Sequence, residues 1–151
     1  MILSQGKILE ALKNGALSII PFIEGNLKEA SYTFTLGNKL RKLKTAKELD
    51  SRNDPDFEEI ELTSKGYLLQ PQDHILGTTT EHLSLRGNFA CILSTRATIA
   101  QLGLDVSQGS IYCEPDTDNP LTLEISNSST IPVRLFPGIK IVKGIFVTIQ
   151  K

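Results

Sequence analysis

In "LTLEISN", residues 121 to 127, Leu121, Leu123 and Ile125 alternate with Thr122, Glu124 and Ser126. That two-residue period marks a strand with one apolar and one polar face. The same period runs through "ASYTFTLG", where Tyr32, Phe34 and Leu36 oppose Ser31, Thr33 and Thr35, and a Gly37-Asn38 turn is expected to close the strand. "LSIIPF" reads as a short strand stopped by Pro21. Further short strands are expected in "IEL", "YLLQP", "HILGTTTE", "FACILST", "SIYCEP", "LTLEIS", "IPVRLF" and "KIVKGIFVTI", separated by "RGN", "TDNP", "NSST" and "PG". Many short strands at this spacing predict a mainly β sandwich or barrel-like jelly roll.

Two segments break the pattern. Ser4 is a good N-cap, Ile8, Leu9 and Leu12 form an apolar stripe, and Gly15 stands at a helix C-terminus, so a helix is predicted from about Ser4 to Asn14. "RATIAQLG", residues 96 to 103, has helix formers and a glycine stop and predicts a short internal helix. Residues 44 to 59 are charged, almost free of large apolar groups, and predict an exposed loop.

Composition narrows the function classes. The 151 residues fit one domain, 1–151, with a real core. Lys plus Arg is 16 against Asp plus Glu 17, a net charge of -1, so no basic surplus drives nucleic-acid binding. A triphosphate would have to be met by a few placed cations. The opening "MILSQGKILEALKNG" lacks the basic and apolar regions of a signal peptide, and no apolar run has the length of a membrane span. A cytoplasmic protein without a membrane partner is expected, with Cys91 and Cys113 as reduced core thiols.

Candidate chemistry follows from spacing. His74, His82 and the two cysteines show no C-x-x-C or H-x-x-x-H spacing, and the H-x-E with P-C-x-x-C of zinc-dependent nucleobase deaminases is lacking, so no zinc is expected. Arg96, with Thr98 and Gln101, stands near the start of the short helix, where free N–H groups suit an anion; taken alone it also reads as a surface arginine. Glu124 shares its face with Thr122 and Ser126, which alone describes a solvated sheet face.

Taken together, these stretches resemble the dCTP deaminase family of the dUTPase-like superfamily. "MILSQGKILEALKNG" is similar to that family's M-I-L-S-D-x-x-I opening, and "ASYTFTLGN" to its P-A-S-Y-D-L-R-L-G strand. "HILGTTTEHLSL" resembles F-x-L-G-x-T-x-E, "RATIAQLGL" resembles R-S-S-L-A-R-L-G-L, and "LFPGIKIVKGIF" resembles L-x-P-G-M-x-I-G-Q-L-x-F. The resemblance implies a distorted jelly roll (a dUTPase-like β-clip) with an N-terminal and a short internal helix. It implies a homotrimer with sites between subunits and a deoxycytidine nucleotide as substrate, Mg2+ accompanying the triphosphate. Glu124 falls on the family's glutamate, which activates water for attack on C4 of cytosine, and Arg96 on an arginine beside the phosphates. Thr98 falls on a serine whose hydroxyl helps hold the water. Ser110 and Glu114 fall in the substrate-binding segment, Glu114 at the aspartate beside the sugar.

The departures are specific. Gln101 stands where the family has the arginine that supports the glutamate and the water, Ala97 replaces the first serine, and Thr33 the aspartate of S-Y-D. "CEPDTDNP" lacks the glycine of the I-D-P-G turn, and the family's C-terminal lid is expected to be missing. The resemblance thus implies zinc-independent deamination of dCTP to dUTP, with Glu124, Thr98 and Gln101 in one partly enclosed pocket. A catalytically degenerate trimer that binds nucleotide or a protein partner is the first alternative. A dUTP pyrophosphatase is the second, against which stands the lack of R-G-x-x-G-F-G-S.

Overall fold

The Ser4 hydroxyl accepts the backbone N–H of Lys7 and so caps α1 (Gln5–Asn14), and Gly15, at φ 80°, turns the chain out of it in the left-handed conformation. The structure, a computed structural model, describes residues 1–150. After α1 come β1 (Leu17–Ile20), a 3-10 turn (Glu24–Asn26), β2 (Tyr32–Leu43), β3 (Phe57–Glu61), β4 (Tyr67–Leu69), β5 (His74–Leu85) and β6 (Phe89–Thr95). The second half holds α2 (Ala97–Ala100), β7 (Leu104–Asp105), β8 (Tyr112–Cys113), β9 (Asp118–Asn127), β10 (Val133–Leu135) and β11 (Lys140–Thr148). No helix among the described residues is long and apolar enough to cross a membrane.

Nine strands form one curled antiparallel sheet in the order β7-β9-β5-β2-β11-β6-β8, with β1 added to β5 and β3 to β2. β4 and β10 make a separate ribbon. The apolar faces close on Tyr32, Phe34, Leu36, Leu123, Ile125 and Phe146, and α1 adds Ile8 and Ala11. This is the predicted mainly β distorted jelly roll with two helices. Gly144 is fixed by packing, since a Cβ there would lie 2.5 Å from the Phe34 ring and 2.9 Å from the Cys91 sulfur.

β2 departs from the expected pattern. Gly37-Asn38 does not close it; the strand runs on to Leu43. Its first half, Tyr32 to Thr35, pairs with β11, and its second half, from Leu36, pairs with β5 and β3. The ladder to β5 shifts register between Leu36 and Leu40, and Gly37 lies where a Cβ would meet the Thr78 carbonyl at 2.8 Å. The glycine serves a close approach at a bulge rather than a hairpin turn. The charged stretch also differs from expectation: residues 57 to 59, predicted as loop, open β3, whose Glu58, Glu59 and Glu61 face Lys42, Arg41 and Lys39 across the ladder. Arg41 additionally lies over the Phe57 ring at 4.7 Å.

At the point where β2 changes partners, Thr35 gives its backbone N–H (2.5 Å) and its hydroxyl (2.8 Å) to the carboxylate of Glu81, which is 2% exposed. Glu81 sits in a second register shift, where β5 slips against β9 between Thr78 and His82. There the Thr79 hydroxyl donates to the Glu81 carbonyl (2.7 Å) and accepts the Leu121 N–H (2.9 Å). Side chains thus replace the ladder bonds that two bulges remove.

Burial pushes the Glu81 carboxyl above its ordinary value of 4.5, and the Thr35 N–H draws it partly back. A raised folded-state value means that Glu81 favours folding most below the ordinary carboxylate range. That contribution is lost as pH rises through the elevated folded value. Glu81→Gln stays neutral and its amide oxygen can still accept from Thr35. The stability difference between the variant and the parent is therefore expected to shift in favour of the variant as pH rises above the ordinary carboxylate value of 4.5 in urea unfolding. A difference independent of pH would show that Glu81 carries no such penalty.

Candidate functional site

β9 places Leu123 and Ile125 wholly in the core, so Glu124 leaves the strand on the opposite face with Thr122. That face is not open solvent. Glu124 is half-buried, and its Oε2 is shielded from water without a hydrogen-bond partner. It lines a cavity of about 280 Å³ together with Ser110, Tyr112, Cys113, Glu114, Thr117, Asn119 and Thr122, over a floor of Leu93 and Leu121.

Glu114 is held there by a tight turn. The Thr117 N–H and hydroxyl both donate to the Glu114 carbonyl, at 3.2 and 2.6 Å, and Asp116 takes φ 66°. Pro115 at the second position and positive φ at the third give the signature of a type II turn. The position where the sequence lacks the expected glycine is filled by aspartate, which tolerates the left-handed region better than most residues. Ser110 follows a segment tied to the sheet at several points. The Val106 N–H donates to the Thr95 hydroxyl (3.0 Å), the Ser107 N–H to Asp105 (3.1 Å), and the Gln108 N–H to the Glu124 carbonyl (3.3 Å).

Arg96, Thr98 and Gln101 do not line this cavity, and so the single chain does not place Thr98 and Gln101 in one pocket with Glu124. The cause is topological. α2 leaves the end of β6 and passes into β7, which pairs with the far end of β9 at Ser126 and Asn127. Thr98 and Gln101 are exposed on that turn. α2 spans only four residues, too few to sum the dipole expected of an anion-binding helix end. The Arg96 backbone is fixed by its N–H to the Ile141 carbonyl (3.0 Å), while its half-buried side chain forms no ion pair among the described residues.

The cavity therefore carries two carboxylates, Glu114 and Glu124, and no cation. It suits donors: a water, a hydroxyl, an amino group. The Glu124 carboxylate can accept a hydrogen bond from such a group. Tyr112, Thr117 and Asn119 were not singled out from the sequence. They reach the cavity through the pairing of β8 with β6 and the turn before β9, which no local spacing encodes.

The sequence model of a family described as dCTP deaminase-like matches residues 2–149. A dCTP deaminase, dUMP-forming, of Coprothermobacter proteolyticus is 34% identical over 93% of this chain and 78% of its own. Among solved structures, the 2'-deoxycytidine 5'-triphosphate deaminase of Agrobacterium tumefaciens superposes with a TM-score of 0.75 at 18% identity, over 96% of this chain and 47% of that one. A mutant dUTPase of Staphylococcus bacteriophage 80alpha gives 0.57 at 12% identity, over 89% of this chain and 91% of that one. Both likenesses concern the fold.

An unpartnered shielded oxygen costs folding free energy. Glu124→Met, which fills similar space without a polar end, is expected to stabilise the protein by about 1 kcal/mol or more in urea unfolding. A change within about 0.5 kcal/mol would mark Glu124 as an ordinary surface residue.

Proposed function

The chain belongs to the dCTP deaminase-like family, and on that premise we propose that it hydrolytically deaminates a deoxycytidine nucleotide, dCTP foremost, without zinc. The observation that carries the reading is Glu124: strand-borne, half-buried, on the wall of a cavity beside Ser110 and Glu114, with one carboxylate oxygen left without a partner.

In the proposed reaction Glu124 takes a proton from water, and the oxygen adds to C4 of the cytosine ring. The same carboxyl then delivers a proton to the amino group, which leaves as ammonia, so that dCTP and water give dUTP and ammonia. Glu114 receives a sugar hydroxyl and Ser110 lies along the base. Neither supplies positive charge, so the triphosphate, with its Mg2+, must be met from outside the cavity. Arg96, whose guanidinium forms no ion pair among the described residues, suits that role, Thr98 has an exposed hydroxyl for the water, and Gln101 an amide where the family pattern has a cation. Since one chain holds these three apart from Glu124, a homotrimer with each site shared between subunits is the arrangement that unites them. If the product were dUMP, as the name of the Coprothermobacter relative has it, pyrophosphate would leave as well.

The alternative of a degenerate nucleotide-binding trimer draws on Gln101, which hydrogen-bonds but brings no charge to Glu124. Incubation with dCTP, dCMP and dUTP, with and without Mg2+, is expected to release ammonia from dCTP, and a parallel pyrophosphate assay distinguishes dUTP from dUMP. Zinc chelation is expected to leave the rate unchanged. Glu124→Gln should lower the rate at least about 100-fold without unfolding the protein, the low end for losing a general acid–base group. Gln101→Arg should raise it. If neither the parent nor Gln101→Arg deaminates any cytosine nucleotide, the enzyme reading falls. Light scattering at micromolar concentration is expected to give three times the chain mass, and a monomer mass would reject the shared site.

A further inference from the structure

The two cysteines take no part in the proposed chemistry, yet they stand together. Cys91 in β6 and Cys113 in β8 are direct partners in an antiparallel ladder, and neither is in a disulfide. Two steps along the same ladder the Leu93 N–H donates to the Ile111 carbonyl at 2.7 Å, so the cysteine pair is of the hydrogen-bonded kind. Such pairs have Cα atoms about 5.5 Å apart and side chains on one face. This lies within the roughly 4.4–6.8 Å found across disulfides, while the Cβ atoms, about 5.5 Å apart in such a pair, need to approach by about 1 to 2 Å.

The two sides of the pair differ in freedom. Cys91 is wholly buried against Gly144 in the body of the sheet. Cys113 is 8% exposed and opens on the cavity of Glu124. Its strand, β8, is two residues long, lies at the sheet edge and, among the described residues, pairs with β6 alone, so it can supply the shift. It also leads directly into Glu114.

We propose that Cys91 and Cys113 form a reversible redox pair, in which peroxide entering the cavity oxidises Cys113 and Cys91 resolves it to a disulfide that draws β8 inward and reshapes the cavity wall. Cys113 is the attacking sulfur because it alone of the two opens on the cavity, whereas Cys91 is wholly buried; contact with Cys113 and burial also push the Cys91 thiol up. The Cys113 thiolate attacks one oxygen of hydrogen peroxide. An S–O bond forms, the O–O bond breaks, and the departing hydroxide takes up the proton shed by the thiol. The Cys91 sulfur then attacks the Cys113 sulfur; the S–S bond forms, the S–O bond breaks, and the hydroxyl leaves as water with the Cys91 proton. Two thiols lose two electrons in all, and one peroxide becomes two waters.

The test treats reduced protein with stoichiometric hydrogen peroxide. Intact mass is expected to fall by about 2 Da, with both thiols lost together and restored by dithiothreitol, while Cys113→Ser and Cys91→Ala lose no such mass. The effect on the cavity rests on the deamination reading: dCTP turnover by the oxidised form is expected to fall, by as much as about 100-fold for a displacement near 1 Å, and to recover on reduction. A gain of oxygen mass with one thiol intact, a disulfide between chains, or no reaction would overturn the pair. A disulfide without change in turnover would overturn its link to the cavity. If reduced protein turns over no dCTP, the functional reading fails while the thiol count still decides the redox pair.

Discussion

The seam between Thr35 and Glu81 is the constraint on which the architecture depends. β2 belongs to two neighbourhoods, β11 on one side of Leu36 and β5 with β3 on the other, and no strand can change partners without leaving backbone groups unpaired. A desolvated carboxylate accepting an N–H and a hydroxyl closes that gap with charge-assisted bonds, stronger than the ladder bonds they replace. The solution is costly, since Glu81 is kept from water, and it tolerates little variation in length or shape.

The site makes a related trade in the opposite sense. Glu81 is buried and fully bonded and so is structural; Glu124 is shielded on one oxygen and left unbonded. The same side chain, forty-three positions on, differs only in what the neighbouring backbone offers. At Glu81 on β5, Thr35 of β2 turns its N–H and hydroxyl to the carboxylate, whereas on β9 the ladder is regular at Glu124, opposite Leu76, and spends its donors on carbonyls. A carboxylate on a cavity wall, with bonding capacity left unmet, is within reach of whatever enters there.

What was legible in the sequence was whatever local period encodes. Ser4 and Gly15 bound α1, and the alternation around Leu123 put Glu124 on the face away from the core. Gly37-Asn38 misled because glycine beside asparagine usually buys positive φ for a turn; Gly37 has no positive φ and is needed for the space of its missing Cβ. β3 was hidden for the opposite reason. Its glutamates read as loop composition until Lys39, Arg41 and Lys42 are seen across the ladder. Glu114, Ser110 and Glu124 could be grouped through the family resemblance, whereas Tyr112 and Cys113 depend on a cross-strand register that no single stretch contains. The separation of Glu124 from Thr98 and Gln101 was out of reach for the same reason: it is a property of how β7 leaves α2.

The order of the strands in space also differs from their order of synthesis. β11, near the end of the chain, lies between β2 and β6 and is the strand that joins β7-β9-β5-β2 to β6-β8. Until β11 is added, the earlier strands present two half-sheets, each with an open edge: β2 with Tyr32, Phe34 and Leu36, and β6 with Phe89, Ile92 and Leu93. Such edges are templates for the wrong partner. The protein therefore joins its two half-sheets only when β11 is added, by an insertion of long sequence separation. It will be most vulnerable to misassembly, and most in need of chaperone protection, in that interval.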